Sequence, residues 1–310
     1  MLQYILFKFL RRSGAKKARK KAVDSNPIAF HQTLVSQFKS ANTAADFLAI
    51  WLNNSLLSAA NQKILEDYYR NFDKLRSPRI RYWYNQQVAE AEAIVRSRRG
   101  LRVLEIGVGT GTEFLWWAVL GADVTGIDAF QHCIDVSVER LDVLQRVMGS
   151  KLSCSLKAEQ ITDFDDDSGF DLIWMEQAFH HLEPRAEVLK QISKLLRPNG
   201  RVVFSEANAL NPLLQLQLIR IRGFRKFVTV ETGHGKIVWG NERVLSRTSL
   251  KRLLRGVNIE HESSRYYRVF PSWSKFEPLF GIERRISSAW LAPIYTHYNL
   301  VGRKVANALR

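Results

Sequence analysis

The residues with the clearest chemical signature stand at 103–113, Val-Leu-Glu-Ile-Gly-Val-Gly-Thr-Gly-Thr-Glu. A short apolar run ends in glycines at alternate positions, Gly107, Gly109 and Gly111, and helix-compatible sequence follows from Glu113 to Leu120. Such a strand, glycine turn and helix lets the backbone take positive φ and a ligand approach the main chain closely. The spacing separates two ligand classes. A dinucleotide fold wants Gly-x-Gly-x-x-Gly, with a pyrophosphate on the helix N-terminus, and here the last position is Thr112. Glu105 stands two places before the first glycine, where it would repel a phosphate but suit a ligand carrying an ammonium and a sulfonium. That points to S-adenosylmethionine. A second acid, Asp128, ends the run Asp123-Val-Thr-Gly-Ile-Asp128, 21 residues beyond Gly107. In nucleotide-binding α/β folds an acid at about this distance accepts hydrogen bonds from ribose hydroxyls.

The pattern continues downstream. Phe170 to Met175 reads as a fourth strand and is followed by Glu176-Gln-Ala-Phe-His-His-Leu182; Pro184 to Arg197 carries a one-face apolar pattern, Pro198-Asn-Gly200 stops it, and Arg201 to Ser205 reads as a fifth strand. With these segments in order, the chain resembles the class I S-adenosylmethionine-dependent methyltransferases, in their small-molecule branch (type 11/12-like). The likeness is close over residues 98–208 and looser over 248–304. It implies a doubly wound, Rossmann-like α/β sheet, mostly parallel with its last strand antiparallel. It also implies a cofactor-binding set of Glu105, Gly107, Gly109, Gly111, Asp128, Ala129, Ala158, Glu159 and Glu176. One departure stands out. The family often holds the adenine with an acid and then a small residue after strand three, and here Lys157 occupies the acid's place, leaving Ala158 and Glu159 to take over.

Methyl transfer from a sulfonium is an in-line displacement that draws much of its rate from proximity and orientation. A base is needed only where the acceptor is a hydroxyl or an acidic carbon, and neutral histidine suits that task near pH 7. His180 and His181 follow the fourth strand, at the sheet edge where ligands sit, and in the resembled family this position borders methyl group and substrate. One of the two is the candidate base; a purely structural role for both competes. Adjacent residues of an extended segment cannot both point into one pocket. Met175-Glu-Gln-Ala-Phe179 lacks the Asn/Asp-Pro-Pro-aromatic motif of exocyclic-amine methyltransferases, and no cysteine stands there for cytosine C5 chemistry. Transfer to oxygen or carbon is therefore expected.

These residues need elements to position them. Ser25 and Asn26 before Pro27 form a helix start, with further helices expected around Ala44–Leu52 and Ser58–Leu75 and one opening at Tyr82 and running to Arg98. Tyr82 and Tyr84 fit the core better than a roof over the cofactor. The expected division is an apolar and basic segment at 1–25, a helical extension at 26–97 and the methyltransferase domain at 98–310. Within that domain insertions fall at 209–241 and 270–293, both on the substrate side. The first is rich in leucine and arginine, like an interfacial lid, and includes the glycine-flanked His234; the second is rich in aromatics and proline. Thr248 to Arg255 reads as a helix closed by Gly256, before strands at 257–262 and 298–304.

Charge divides along the chain. The net +16 resolves into +11 for residues 1–100 (18 basic, 7 acidic), −7 for 101–208 (10 and 17) and +12 for 209–310 (18 and 6). The acidic core belongs to the donor, and the basic flanks predict an anionic partner. Residues 1–10, mostly large and apolar, precede seven basic residues between Arg11 and Lys21, the reverse of a signal peptide. The order suits an interfacial anchor on an anionic membrane through residues 1–22; a plain solvated tail, a nucleic-acid arm and an organelle presequence compete. No apolar run approaches the about 20 residues that span a bilayer. The two cysteines, Cys133 and Cys154, exclude a disulfide framework or cysteine-based metal site and fit small hydrophobes in a reducing compartment. The expectation is a cytoplasmic enzyme, peripheral to the membrane, acting on a small-molecule or lipid-linked acceptor, with an RNA methyltransferase as the alternative and a non-catalytic module disfavoured by the intact cofactor residues. Oligomeric state is not legible.

Overall fold

The computed structural model describes residues 27–233, 235–286 and 288–305. The apolar and basic segment at 1–25, the Ser25-Asn26 helix start and His234 lie outside the described residues.

Among the described residues, four α-helices precede the sheet: α1 (Pro27–Ser40), α2 (Ala44–Asn53), α3 (Ala59–Tyr68) and α4 (Pro78–Ser97). The expected single helix over 58–75 breaks at Tyr69 into a 3-10 turn, inside which Asp73 and Lys74 take positive φ of 45° and 49°. The helix expected from Tyr82 starts earlier. Ser77 caps it, its side chain accepting from the Ile80 amide at 3.1 Å, and Pro78 occupies the first turn.

The sheet order is β3-β2-β1-β4-β5-β9-β8, from β1 (Arg102–Ile106), β2 (Asp123–Asp128), β3 (Cys154–Ala158), β4 (Phe170–Glu176), β5 (Leu196–Ala207), β8 (Ile259–Tyr267) and β9 (His297–Lys304). Strands β1 to β5 run parallel, and β9 inserts antiparallel between β5 and β8. This is the doubly wound sheet that the glycine turn and the strand-four segment lead one to expect. Helices α5 (Thr112–Val119), α6 (Gln131–Met148), α7 (Arg185–Leu195) and α9 (Arg247–Arg255) cover it. Alternation in the central strands feeds two cores. Val103, Leu172 and Val203 face one that α2, α4 and α5 share, while Leu104, Ile173, Val202 and Phe204 face another closed by α7 and α9. The N-terminal helices thus pack into the same core as the sheet.

The 209–241 insertion holds α8 (Pro212–Arg222) and a two-stranded hairpin, β6 (Phe227–Thr232) with β7 (Gly235–Gly240). The second insertion consists of 3-10 turns and the short helix α10 (Phe280–Glu283). It is fastened by a buried ion pair: Arg79 Nε donates to Glu283 Oε2 at 2.6 Å, and Trp83 Nε1 and the amides of Val269 and Phe270 donate to the same carboxylate at 2.8 Å. No helix among the described residues is long and apolar enough to cross a membrane.

Candidate functional site

A cavity of about 440 Å³ opens at the C-terminal edge of β1, β2 and β4, where the strand order reverses. Gly107, Gly109, Asp128, Ala129, Glu159, Glu176 and His181 all line it. Glu105, Gly111, Ala158 and His180 stand behind that lining. Glu105 is a buried strand residue. Gly111 faces α6, where an added Cβ would lie 2.6 Å from Ser137 Oγ, so its smallness serves helix packing and not ligand approach. Ala158 pairs with Asp128 across β2 and β3. Lys157 is exposed and its Nζ sits 4.9 Å from the Phe164 ring, whereas the Glu159 amide donates to the Asp128 carbonyl at 2.9 Å.

The glycine turn is tightly built. Gly109 has φ 55°, and a Cβ there would fall 2.4 Å from the Tyr68 hydroxyl. Tyr68 comes from α3 and also lines the cavity, so the N-terminal helices supply part of the site wall. Their neighbours brace the helix behind the turn. Tyr69 donates to Thr112 Oγ1 at 2.8 Å, Tyr84 donates to Glu113, and buried Arg140 donates to the Thr110 carbonyl at 2.5 Å. Tyr84 is therefore core, and Tyr82 packs on Phe280 with ring centroids 5.2 Å apart.

The floor of the cavity is acidic. Burial, and then the charges of Glu113 and Glu176, push Glu105 well above the carboxylate range. Burial followed by Glu113 pushes Glu176 up to about 8, and burial raises Asp128 to about 6 against hydrogen bonds from Gly109 and Phe130. Those two amides donate to the Asp128 carboxylate at 2.9 Å each and fix its orientation. Glu105 Oε2 has no hydrogen-bond partner. Buried carboxylates with raised pKa and an orphaned oxygen are a mismatch that a cation relieves. The donor set thus fits a ligand bearing sulfonium and ammonium groups, with Asp128 left to meet ribose hydroxyls.

The two histidines separate. His180 is buried, and its Nδ1–H donates to Glu206 Oε2 at 2.6 Å. His181 faces the cavity, donates from Nδ1 to the Gly240 carbonyl at 2.8 Å and stacks on Trp239, with ring centroids 4.8 Å apart. Burial, and then His180, hold His181 well below the ordinary imidazole range, so it is neutral at pH 7 with Nε2 carrying the lone pair. The hairpin completes this wall with Val230, Ile237, Val238 and Trp239. Glu206, Trp239 and Glu242 escaped the sequence reading. The alternation Phe227-Val-Thr-Val-Glu-Thr before Gly233 was the signal for the hairpin, but nothing local ties Glu242 to His180, 62 residues earlier.

The sequence matches a methyltransferase-domain family over residues 68–263. It is 28% identical to the 27-O-demethylrifamycin SV methyltransferase of Amycolatopsis mediterranei, over 63% of this chain and 71% of that protein. It is 32% identical to a ubiquinone biosynthesis O-methyltransferase of Photobacterium profundum, over 35% of this chain and 45% of that one. The chain thus spans less than half the length of the latter relative. An N-methyltransferase from Haemonchus contortus, solved with phosphomonomethylethanolamine and S-adenosylhomocysteine, shares the fold. Its TM-score is 0.51 at 14% identity, over 72% of this chain and 53% of that one.

Proposed function

The chain belongs to the methyltransferase-domain family, an S-adenosyl-L-methionine-dependent enzyme, and from that premise we propose that it methylates a hydroxyl oxygen of a small apolar or lipid-linked molecule. The observation that carries this reading is the cavity's two-sided character. A carboxylate floor faces an apolar wall made by Val230, Ile237, Val238 and Trp239, with His181 set into it. The rifamycin and ubiquinone relatives, both named for O-methylation, support oxygen as the acceptor atom.

In this reading Glu176, with Glu105 buried behind it, would meet the cofactor's methionine end, while Asp128, Ala129 and Glu159 would hold its nucleoside. Bound there, the cofactor supplies an electrophilic methyl group to an in-line acceptor. His181 presents Nε2 to the acceptor hydroxyl and takes its proton. His180 is a positioning residue, held by Glu206. The domain division at residues 25 and 97 is part of the same proposal, with α3 roofing the cofactor through Tyr68.

Site and surface together favour a membrane setting. On α8 and just beyond it, Leu213 is 75% exposed, Leu216 64% and Phe224 85%, amid Arg220, Arg225 and Lys226. Asn208 and Asn211 tie the start of this helix to the 292–295 backbone, beside which Trp290 is 94% exposed. Apolar side chains edged with cations suit an anionic interface. Tritiated methyl transfer from S-adenosyl-L-methionine to the organic phase of a cell extract tests the reading. Label in a base-labile or amine product, or in RNA, would replace it.

A further inference from the structure

Beyond the donor floor, one cluster has its polar atoms buried and turned inward without satisfying one another. Glu242, in the turn after β7, is 1% exposed and neither of its carboxylate oxygens has a hydrogen-bond partner. His180 is also 1% exposed, and its Nε2 has no partner either. Glu242 Oε2 lies 3.6 Å from His180 Nε2, and Oε1 lies 3.9 Å from His181 Nε2. Both distances exceed hydrogen-bond reach. One nitrogen from each ring and one carboxylate oxygen come within 4.8 Å of one another.

We propose that His180, His181 and Glu242 form a site for one divalent transition-metal ion of the zinc class. Two imidazoles and a carboxylate make a ligand set that such ions take, with a fourth position left open. Around a tetrahedral ion with bonds of about 2.0–2.1 Å, donor atoms sit about 3.3 Å apart, so a small inward adjustment of these side chains closes the site. The outer shell is already in place. His180 Nδ1–H donates to the Glu206 carboxylate and His181 Nδ1–H to the Gly240 carbonyl. These bonds fix both tautomers with Nε2 as the ligating atom, the arrangement that orients histidines on metals.

The backbone is built to bring the parts together. Gly240 seats directly on the His180 carbonyl, which a Cβ would approach to 2.5 Å, and the Arg243 amide donates to that same carbonyl at 3.2 Å. Between them Glu242 takes a positive φ of 54°, uncommon for a residue with a side chain and typical of functional sites. The arginines nearest in sequence are engaged elsewhere: Arg243 pairs with Glu183, and Arg185 donates to the Arg243 carbonyl. An ion here would clasp the substrate-side hairpin to the turn after β4. It would also occupy the His181 lone pair, so the metal-loaded and proton-accepting states exclude one another.

The test is titration of the chelator-stripped, full-length chain with Co²⁺, read by visible absorption, followed by displacement with Zn²⁺. This readout needs neither methyl donor nor acceptor, so its outcome is independent of the proposed activity. One equivalent is expected to bind, and binding is expected to vanish in Glu242→Gln and His180→Ala. In Glu206→Gln it should weaken about ten- to a hundredfold, while Glu260→Gln, an exposed acid on β8, should titrate as the wild type does. Zn²⁺ should raise the melting temperature of the wild type but not of Glu242→Gln. Failure of the folded chain to take up stoichiometric Co²⁺ overturns the proposal. So does unaltered binding by Glu242→Gln and His180→Ala whose circular dichroism matches the wild type.

Discussion

At the residue scale, the carboxylates at the cavity are held far from their ordinary ionisation, and the proposed cofactor site makes that testable. Glu176 rises from 4.5 to about 8 and Asp128 from 3.8 to about 6, chiefly because burial disfavours their charged forms. The sign follows directly. A carboxyl raised in the folded state lends stability that is full below its unfolded value and fades as pH rises through its folded one. For the ligand-free protein this loss falls between about pH 4 and 8. A sulfonium binds the ionised forms, so cofactor affinity should climb over the same window, by up to about tenfold per pH unit for each group still protonated. S-adenosylhomocysteine, without the sulfonium charge, should climb less steeply; calorimetry at pH 6, 7 and 8 compares the two. Glu176→Gln should weaken S-adenosylmethionine binding about ten- to a hundredfold at pH 8, as expected for a lost contact to a charged group, and flatten its pH profile. Sequence made Glu105, Asp128 and Glu176 legible because each sits at a fixed offset from a glycine turn or strand end. The electrostatic influence of Glu113 on Glu105 and Glu176 was not, because it is buried by Tyr84 from a helix upstream and not by its own segment.

At the scale of elements, local signals succeeded where capping and alternation were complete within one segment. The strands β1, β2 and β4 and helix α9 stand near where their residues place them. Helix α7 ends at Leu195 and not at Arg197, because Leu196 already pairs with Phe170 and the Pro198-Asn-Gly200 run is taken up inside β5. The hairpin was missed although its alternation was visible, since a leucine- and arginine-rich helix dominates the same insertion. Two elements make separate predictions. Gly109→Ala forces a side chain into the Tyr68 hydroxyl and strains a positive φ; it should destabilise the fold by about 1–3 kcal/mol in urea unfolding and weaken cofactor binding with it. Glu283→Ala leaves Arg79 buried and unpaired beneath the second insertion. Denaturant unfolding should show a loss of about 3–5 kcal/mol, and replacing both partners by Leu and Met should not restore it, because Trp83 Nε1 and the Val269 and Phe270 amides lose their acceptor as well.

At the scale of the whole molecule, the acidic stretch 101–208 contributes Asp128, Glu159 and Glu176 to the cavity, and strongly basic stretches flank it on both sides. The charge division was plain in the sequence. The exposure of Leu213, Leu216 and Phe224 was not, because only packing reveals which apolar residues in and after α8 the core leaves uncovered: Leu214 and Leu218 are buried. The chain should sediment with anionic vesicles at low salt and release as ionic strength rises. Leu213→Ser, Leu216→Ser and Phe224→Ser together should abolish that association while leaving cofactor affinity intact. Vesicle binding unchanged by the triple substitution would place the membrane contact elsewhere.

The central claim is that the carboxylate-floored cavity beneath Tyr68 is where the methyl donor binds, and calorimetric titration of the full-length chain with S-adenosyl-L-methionine tests it most directly. One site per chain is predicted, tighter at pH 8 than at pH 6, and at least tenfold weaker in Asp128→Ala, which loses the acceptor for the Gly109 and Phe130 amides as well as for ribose. Absence of binding by the wild type, or an affinity unmoved by pH and by Asp128→Ala, would contradict it.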